Sequence, residues 1–377
     1  MVKFPFFKKN NFLGVDFGTS AVKIVELTYK NGSIHLSNYG WVRLPVKAKT
    51  NKLDVGTQKK EDAQIISSVK KLLNKMDIES DSVHISIGGF RGLSALIKVD
   101  KVGDDDIAEI IKAEAGKHIP VSLDEVYLSW DVVSKNIPKK GFGSPDSKNN
   151  NKKKHPLLKG RKESAEVLLV AAPREDVRRY ERIVSEIELK VDSLELDIFS
   201  VIRSLIGNDL GTFLIVDMGA KVTNLLLVEK GIIKINRNIN IGGDEITKNI
   251  SSTLNVSWER AESFKKKNDY LFSEGKQMVL PVLETIAKEA NRIIGSYFEE
   301  GEKSKIDDVI LTGGGSGINK IKDLFEEILG IRVSIGNPWK KITIENEKIK
   351  NSPSNASKIL AVATGLALKG ADNYKRN

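Results

Sequence analysis

Two stretches of the chain repeat the same order of apolar and polar positions. In "FLGVDFGTSAVKIVEL" and "FLIVDMGAKVTNLLLV", which begin at Phe12 and Phe213, an apolar strand ends in an acid and a glycine follows two positions later. A second apolar strand, a third strand and a helical pattern come next. The predicted strands are 12–16, 21–28 and 33–43 in the first copy and 212–217, 222–228 and 231–239 in the second. The predicted helices are 61–76, 243–254 and 257–267, so the pattern predicts a duplicated β-β-β-α core.

Between the two copies the pattern changes, and it predicts an inserted α/β subdomain over 84–187. Its predicted elements are strands at 83–87, 92–99, 126–134 and 165–172 and helices at 105–117 and 174–187. The first lobe is predicted over 1–83 and is completed by 188–209 and 354–377, whereas the second lobe spans 210–353. The remaining predicted elements are strands 190–195, 307–311 and 331–335 and helices 197–207, 277–299, 316–329 and 356–369. The predicted fold class is therefore α/β, with two lobes and one insertion.

The composition excludes several kinds of chemistry. The 377 residues include no Cys and only four His, so disulfides and cysteine nucleophiles are excluded. The scattered His residues show no metal-ligand spacing. No apolar run in the sequence reaches the roughly 18–20 residues that a membrane span needs, and the first residues lack the apolar segment of a secretory signal. These features fit a reducing compartment and predict a cytoplasmic location.

Most of the net charge of +10 lies in one segment. Residues 135–164, "KNIPKKGFGSPDSKNNNKKKHPLLKGRKES", hold nine Lys and one Arg against Asp146 and Glu163, a net charge of +8. Because the segment has almost no apolar periodicity, we expect a disordered insertion that is dispensable for folding. It offers no aromatic stacking platform, and we expect no nucleic-acid partner.

The two acidic turns suit a phosphate that is held through a metal ion. In "VDFGTS", Gly18 lets the backbone approach a ligand, and Thr19 and Ser20 offer hydroxyl donors. An acid beside a phosphate repels it, so Asp16 is explained chiefly by a hydrated Mg²⁺ between the two charges. The same reasoning applies to Asp217. Two such turns on opposed lobes would hold a triphosphate from both sides, whereas one Asp-x-Gly turn alone is more often ordinary turn chemistry.

A third, glycine-rich turn follows the two acidic ones. The stretch "DDVILTGGGSGINKIKDLF" places an apolar strand before Gly313, Gly314 and Gly315 and predicts a helix that opens near Ser316. Bare backbone at the glycines would let a flat base lie on the chain, and the helix N-terminus would offer N–H groups. Each motif alone is weak, but the three in this order indicate a nucleotide site.

These motifs resemble the actin/Hsp70/sugar-kinase superfamily and, more narrowly, the PilM family of type IV pilus assembly proteins, which are relatives of the cell-division protein FtsA. The superfamily pattern is carried by "GVDFGTSAVKIVEL", "IVDMGAKVTNLLLV", "GGDEITKNI", "AESFKK" and "ILTGGGSGI". The pilus-family pattern is carried by "EAGKHIPVSLDEVYLSWDVV", "EVLLVAAPREDVRRY", "VSIGNPW" and "AVATGLALKG". The resemblance covers almost the whole chain except the lysine-rich insertion. It implies an actin/Hsp70-like two-lobed nucleotide-binding fold with an FtsA-like inserted subdomain, and ATP with Mg²⁺ as cofactors.

The resemblance also implies roles for individual residues. The first phosphate loop comprises Asp16, Gly18, Thr19 and Ser20, and the second begins with Asp217 and Gly219. Asp16 and Asp217 would hold Mg²⁺ through water. The rest of the implied nucleotide-binding set is Lys23, Asp197, Lys221, Gly242, Gly243, Glu262, Lys265, Gly313, Gly314 and Gly315, with Glu195 as the alternative to Asp197 for the connecting acid of the first lobe.

Within this set, Glu262 and Lys265 are expected on the ribose and adenine side, and the three consecutive glycines beneath the base. The second turn departs from the common pattern at Ala220 and Lys221, so a phosphate contact there would use the lysine or only the backbone. No residue stands out as the base that orients an attacking water. We therefore expect ATP binding with weak or no ATPase activity.

The favoured function is an ATP-binding cytoplasmic scaffold of a pilus, secretion or competence machine. The resemblance implies a partner, the N-terminal cytoplasmic peptide of an inner-membrane PilN-like protein, held between the first lobe and the inserted subdomain. That peptide would bring the chain to the inner face of the cytoplasmic membrane. Contacts with other inner-membrane and motor components, and self-association, stay open.

Two other functions stay open as alternatives. A sugar or acid kinase shares the superfamily motifs, but no added substrate-binding acid motif is visible. An FtsA-like, filament-forming division protein is expected to carry a long C-terminal tail with an amphipathic membrane helix. The sequence ends soon after "GLALKGADNYKRN", which favours the pilus scaffold.

Overall fold

The computed structural model describes residues 10–44, 55–89, 91–100, 107–136, 164–267, 280–299, 305–345 and 355–376. The chain divides into two compact units. The larger unit combines 1–92 with 174–377, and the smaller unit comprises 93–173. The lysine-rich insertion predicted over 135–164 lies outside the described residues except at its first two positions and its last one.

The larger unit contains two five-stranded sheets, and the first holds strands from the start of the chain. Its members are β1 (Asn11–Phe17), β2 (Ala21–Lys30), β3 (Ser33–Arg43), β4 (Ser82–Ile87) and β8 (Lys190–Leu196). They lie in the order β3-β2-β1-β4-β8. The first three strands are antiparallel to one another, and β4 runs parallel to both β1 and β8.

The second sheet has the same topology. Its members are β9 (Thr212–Met218), β10 (Thr223–Glu229), β11 (Ile232–Ile239), β12 (Asp308–Thr312) and β13 (Val333–Ile335), in the order β11-β10-β9-β12-β13. Again the first three strands are antiparallel, and β12 is parallel to β9 and β13. The duplication predicted from the repeated hairpin is therefore confirmed, and it extends to two further parallel strands in each sheet.

Helices cover both faces of the first sheet. They are α1 (Val55–Met76), α3 (Arg174–Glu186), α4 (Asp197–Leu205) and α10 (Ala361–Arg376). On one face the ring of Tyr180 in α3 stacks on Phe17, with centroids 5.1 Å apart. On the opposite face a Cβ at Gly14 would lie 2.1 Å from the carbonyl oxygen of Ala363. Only glycine allows this close approach, which seats α10 directly on β1.

The second sheet packs on α5 (Gly243–Leu254), α6 (Trp258–Lys267), α7 (Leu280–Glu299) and α8 (Ile321–Leu329). All seven residues of β10 are buried, because this strand lies inside the sheet and has β9 and β11 as neighbours. The short helix α9 (Asn355–Ile359) lies against the end of β12, where the carbonyl of Lys358 accepts a hydrogen bond from the Gly313 N–H at 3.0 Å. The apolar core thus holds the ends of β9, β10 and β12 in fixed positions.

The smaller unit is a three-stranded antiparallel sheet with one helix. Its elements are β5 (Leu93–Asp100), α2 (Ile107–His118), β6 (Val126–Asn136) and β7 (Ser164–Pro173), with the strand order β5-β7-β6. Ile111 and Ala115 of α2 are fully buried against Val167 and Leu169 of β7. These apolar helix positions therefore pack on the unit's own sheet.

The predicted boundaries of the insertion, 84 and 187, were too wide. β4 pairs with β1 and β8, and α3 packs on the first sheet, so both elements belong to the larger unit. Their apolar positions bury in the first sheet, a long-range outcome that local periodicity does not contain. The lobe boundaries predicted inside the larger unit stay a prediction.

Two predicted helices also differ. The helix predicted from 316 begins only at Ile321, because Gly314–Gly317 form a 3₁₀ turn and Lys320 has a positive φ of 53°. The closing helix predicted over 356–369 is divided into α9 and α10 and continues to Arg376. In the first case glycines stabilise a tight turn where the pattern predicted the first turn of a helix.

Candidate functional site

The first hairpin, β1–β2, places an acid opposite a lysine. Asp16 is only 7% exposed, and it pairs across the two strands with Lys23, whose Nζ lies 2.7 Å from Asp16 Oδ2. Burial disfavours the ammonium form of Lys23, but the charge and hydrogen bond of Asp16 outweigh it and raise the Lys23 pKa. A Cβ at Gly18 would lie 2.9 Å from the carbonyl oxygen of Ala21, so glycine keeps this turn tight.

Thr19 and Ser20 form the turn between the two strands of this hairpin. Thr19 is half-buried and Ser20 is exposed. Within the described residues neither hydroxyl makes a hydrogen bond, so both stay available as the donors that the sequence predicts.

The second hairpin, β9–β10, places an acid opposite an amide. Asp217 pairs with Asn224, whose side chain donates a hydrogen bond to the carboxylate. Two backbone hydrogen bonds join the turn to the start of α5. Gly219 O accepts from the Gly243 N–H at 3.0 Å, and Ala220 O accepts from the Asp244 N–H at 2.8 Å. The second turn and the first turn of α5 therefore form one rigid piece.

Two predicted positions, Gly242 and Lys221, lie around this contact between the turn and α5. A Cβ at Gly242 would lie 2.6 Å from the Ala220 carbonyl oxygen, so only glycine fits there. Lys221 is exposed on the turn, and its charge acts on Asp244 of α5. Lys221 is thus not the counterpart of Lys23.

A third acid, Asp197, joins the two hairpins. It is the first residue of α4, and its Oδ1 accepts a hydrogen bond from the Gly89 N–H at 2.7 Å. Burial, together with the negative charges of Asp217 and Asp16, raises the pKa of Asp197 to about 8. The structure therefore brings Asp197 to the two acidic turns.

Glu195, the alternative connecting acid, has a different environment. Burial opposes its ionisation, but hydrogen bonds and charge from Arg203 outweigh burial and lower the Glu195 pKa. Arg203 Nη1 lies 2.6 Å from Glu195 Oε1, and Lys369 Nζ lies 2.9 Å from Oε2. Glu195 is thus a fully paired structural acid.

The cluster of Asp16, Asp197, Asp217 and Lys23 carries an excess of negative charge. Burial raises the pKa of Asp217 to about 6, with Lys23 acting to lower it and Asp16 to raise it. One lysine faces three buried carboxylates, and a bound cation would relieve their repulsion. The donor set therefore fits a hydrated Mg²⁺, since carboxylates are hard oxygen ligands that commonly hold this ion through its waters.

A directly bound metal ion is a separate question. In the part of the chain that the structure describes, no group of three or more His, Asp or Glu side chains is placed to hold a metal ion. The site predicted from the sequence, in which water lies between the ion and Asp16 and Asp217, stays a prediction.

The predicted ribose and adenine residues meet at one end of α5. Lys265 Nζ lies 2.6 Å from Glu262 Oε2 and donates to Gly243 O at 2.9 Å. Thr247 links the same pair, because its Oγ1 donates to Glu262 Oε2 and accepts from Lys265 Nζ, each at 2.7 Å. This network attaches α6 to the N-terminal turn of α5.

The glycine-rich turn lies against the second acidic turn. Gly313 has φ of +80°, and a Cβ there would lie 2.5 Å from both Asp217 Oδ1 and Met218 O. A Cβ at Gly315 would lie 2.7 Å from Cβ of Met218, whereas Gly314 has open space beside it. Two of the three glycines are thus required for packing, and Gly314 has a free face.

Sequence reasoning missed three contributors: Gly89, Asn224 and Thr247. Gly89 follows β4 in "SIGGF" just as Gly314 follows β12 in "LTGGG", so the second repeat contained a signal for it. Asn224 was visible as a polar residue in the apolar run "TNLLLV". Thr247 carried no signal, because its role depends on the packing of α6 against α5.

Comparison with known proteins shows the family of the chain. A family model for the type IV pilus assembly protein PilM matches residues 14–145 and 157–371. The chain belongs to the PilM family. The family and the actin-like α/β fold predicted from the sequence are therefore confirmed.

The chain is also similar to three other known proteins. The cell division protein FtsA of Streptococcus pneumoniae serotype 2 is 21% identical over 362 residues, covering 87% of this chain and 75% of FtsA. A solved PilM-PilN type IV pilus biogenesis complex contains a chain with 22% identity and a TM-score of 0.75, with 96% of this chain and 98% of that chain covered. MreB 5 of Spiroplasma citri bound to AMPPNP has 11% identity and a TM-score of 0.50, with 98% of each chain covered.

None of the described helices combines the length and the apolar character needed to cross a membrane.

Proposed function

We propose that this chain is an ATP-binding scaffold of a type IV pilus or related assembly machine. The observation that carries the nucleotide part is the buried cluster of Asp16, Asp197 and Asp217 with Lys23, which carries more negative than positive charge between two hairpins of the same topology. Membership of the PilM family supports the role in pilus assembly. The actin-like fold supports a nucleotide as the ligand.

In this proposal each hairpin contributes backbone N–H groups and one acid. Asp16 and Asp217 orient the waters of a cation, and Lys23 balances Asp16 and provides a positive charge for phosphate oxygens. Mg²⁺ bound with ATP would supply the positive charge that the cluster lacks. Thr19 and Ser20 donate their hydroxyl groups to phosphate, and Gly314 offers a free backbone surface for the base. The role needs no turnover, because a ligand that binds one closed form better stabilises it.

The proposed partner is the N-terminal cytoplasmic peptide of a PilN-like inner-membrane protein. The support is the similarity to a protein solved in a PilM-PilN complex. Its proposed binding region includes the smaller unit, 93–173. Through that peptide the chain would lie at the inner face of the cytoplasmic membrane. Other inner-membrane and motor components, and self-association, are not assigned.

Isothermal calorimetry with ATP and Mg²⁺ tests the nucleotide part. We expect binding by the wild type and at least tenfold weaker binding by Asp16→Ala and Asp217→Ala, because each removes one acid of the cluster. Asp323→Ala is the matched control, since this acid is exposed on α8. Absence of ATP binding in the wild type at several salt concentrations would contradict the proposal.

A pull-down with the PilN-like peptide tests the partner. The two crossings into the smaller unit lie side by side, since Arg91 Nη2 is 2.5 Å from Asp176 Oδ1, so a short Gly-Ser linker can replace 93–173. We expect the full chain to capture the peptide and the shortened chain to lose it while still binding ATP. Capture that survives the deletion would place the partner site elsewhere.

A filament-forming role is the second candidate, because the chain is similar to FtsA over most of its length. Sedimentation of the purified chain with ATP and Mg²⁺ separates the two functions. ATP-dependent pelleting without the PilN-like peptide would favour the filament, whereas a supernatant protein that binds both ATP and peptide would favour the scaffold.

A further inference from the structure

We propose that Asn224 is a positioning residue that holds a water molecule with its free amide oxygen beside Asp217. The inference rests on the proposed nucleotide site and assigns a role to a residue that had none in the site predicted from the sequence. Its ligand is a water, either one that surrounds the magnesium ion or the one that attacks the terminal phosphate.

The first observation is an unsatisfied acceptor. Asn224 is 6% exposed, and among the described residues its Oδ1 is buried without a hydrogen-bond partner. Its amide donates to the Asp217 carboxylate, which accepts only, so the orientation of the amide is determined by chemistry. A buried acceptor without a partner is unfavourable, and a water molecule that donates to it removes this cost.

The second observation comes from the duplicated hairpins. Register pairs Asp16 with Lys23 in β1–β2 and Asp217 with Asn224 in β9–β10, so Asn224 occupies the position of the lysine in the second copy. Lysine has only donors, whereas asparagine has both donors and an acceptor. The second hairpin therefore carries an acceptor where the first carries a charge.

The location indicates what the acceptor can do. Asp217 interacts electrostatically with Asp16 and Lys23, and Asp197 interacts with both acids, so Asn224 lies beside the proposed cation site. An amide oxygen accepts a hydrogen bond but does not remove a proton at neutral pH. Asn224 thus orients a water, and it is not a general base.

A purely structural reading is that Asn224 only supports Asp217. Asn224→Leu keeps a similar volume and removes both the donor and the acceptor. Asn224→His restores both, because a neutral imidazole has one donor nitrogen and one acceptor nitrogen.

The first experiment measures ATP affinity by calorimetry with and without Mg²⁺. We expect Asn224→Leu to lose about tenfold of the Mg²⁺-dependent gain in affinity and Asn224→His to keep most of it, with affinity in EDTA unchanged in both variants. A non-hydrolysable ATP analogue is used in parallel. Loss with the analogue assigns the water to the ion, whereas unchanged analogue affinity with a slower single-turnover hydrolysis assigns it to the attack on phosphate. Wild-type values for Asn224→Leu in both measurements would overturn the proposal.

The second experiment needs no nucleotide and no folded variant. A crystal structure of the wild-type chain should show an ordered water about 2.7–3.2 Å from Asn224 Oδ1. A protein donor at that oxygen, or a dry oxygen in well-defined density, would overturn the inference. If the wild type fails to bind ATP while the water is present, the nucleotide proposal fails and the water site stands.

Discussion

The two hairpins that begin the sheets have the same topology but satisfy their acids differently. In β1–β2 a full positive charge faces Asp16 across the strands, at 2.7 Å. In β9–β10 a neutral amide faces Asp217, and burial raises the pKa of that acid to about 6. The first hairpin is close to neutral by itself, whereas the second depends on charges from outside.

This difference explains how a symmetric core makes an asymmetric site. With a pKa of about 8, Asp197 is mostly protonated at pH 7, so two lysines would balance Asp16 and Asp217 and remove the need for a cation. Two amides would leave these buried acids without a counter-charge. One lysine and one amide leave an excess of negative charge that a bound Mg²⁺ can balance. Exchanging or removing these partners therefore tests the comparison directly.

The largest effect is expected from Lys23→Asn, which makes the first hairpin like the second. Removing one partner of a buried ion pair leaves an uncompensated charge, and we expect a loss of about 3 kcal/mol in the free energy of unfolding at pH 7. Urea denaturation measures it. Lys70→Asn is the control, because the exposed pair with Glu188 at 3.0 Å contributes under about 1 kcal/mol. Equal losses in the two variants would contradict this view of the first hairpin.

The next effect concerns the glycines that follow the parallel strands. Gly313→Ala introduces a Cβ 2.5 Å from Asp217 Oδ1 at a φ of +80°, and we expect a loss of about 2–3 kcal/mol. Gly89→Ala places its Cβ 2.9 Å from Asp197 Oδ1, where no positive φ adds strain, and about 1 kcal/mol is expected. Chemical denaturation of both variants measures the two losses in the free energy of unfolding. A larger loss for Gly89→Ala than for Gly313→Ala would contradict the role given to the positive φ.

A smaller effect is expected from the acid that the hairpins share. The folded-state pKa of Asp197 is about 8, above the roughly 3.9 of an unfolded chain, so the folded state binds more protons between these values. The contribution of Asp197 to stability without ligands is therefore fully present near pH 4 and is lost as pH rises through about 8. Asp197→Asn keeps an acceptor for the Gly89 N–H. It should remove most of the decrease in the free energy of unfolding above pH 6.

We expect Asp197→Asn to exceed the wild type by on the order of 1–2 kcal/mol at pH 9 and to match it near pH 4. Urea denaturation in EDTA from pH 4 to 9 measures both profiles. Asp192→Asn is the control, because that side chain is half exposed. Parallel profiles for wild type and Asp197→Asn would show that Asp197 is ionised normally.

The smallest effect is expected from Lys221→Ala in the second turn. This lysine is exposed, so its removal should change the free energy of unfolding by less than about 0.5 kcal/mol. Because its charge acts on Asp244, only a few-fold change in ATP affinity is expected by calorimetry. A loss as large as that of Lys23→Asn would mean that Lys221 serves as the second hairpin's counter-charge.

Many of the strands and helices could be predicted because they depend on short-range patterns of apolar and polar residues. The apolar runs that end at Asp16 and Asp217 predicted both hairpins, since alternation and burial are local properties of a strand. The same patterns failed at Ser316, where consecutive glycines form a 3₁₀ turn before α8 begins at Ile321. They also assigned β4 and α3 to the insertion, because pairing partners are not encoded in periodicity.

The sequence by itself determined the duplication, the acids and glycines of the two turns, and the family, because these depend on residue type and spacing. Only the tertiary structure decided which group meets which acid. Asp197 contacts Gly89, which is 108 positions away, while Glu195 two residues earlier faces Arg203 and Lys369. Both acids flank the same junction of β8 and α4, and their pKa values move in opposite directions. The physical reason is that a carboxylate's ionisation depends on burial and on charges within a few ångströms, which are brought together only when the chain folds.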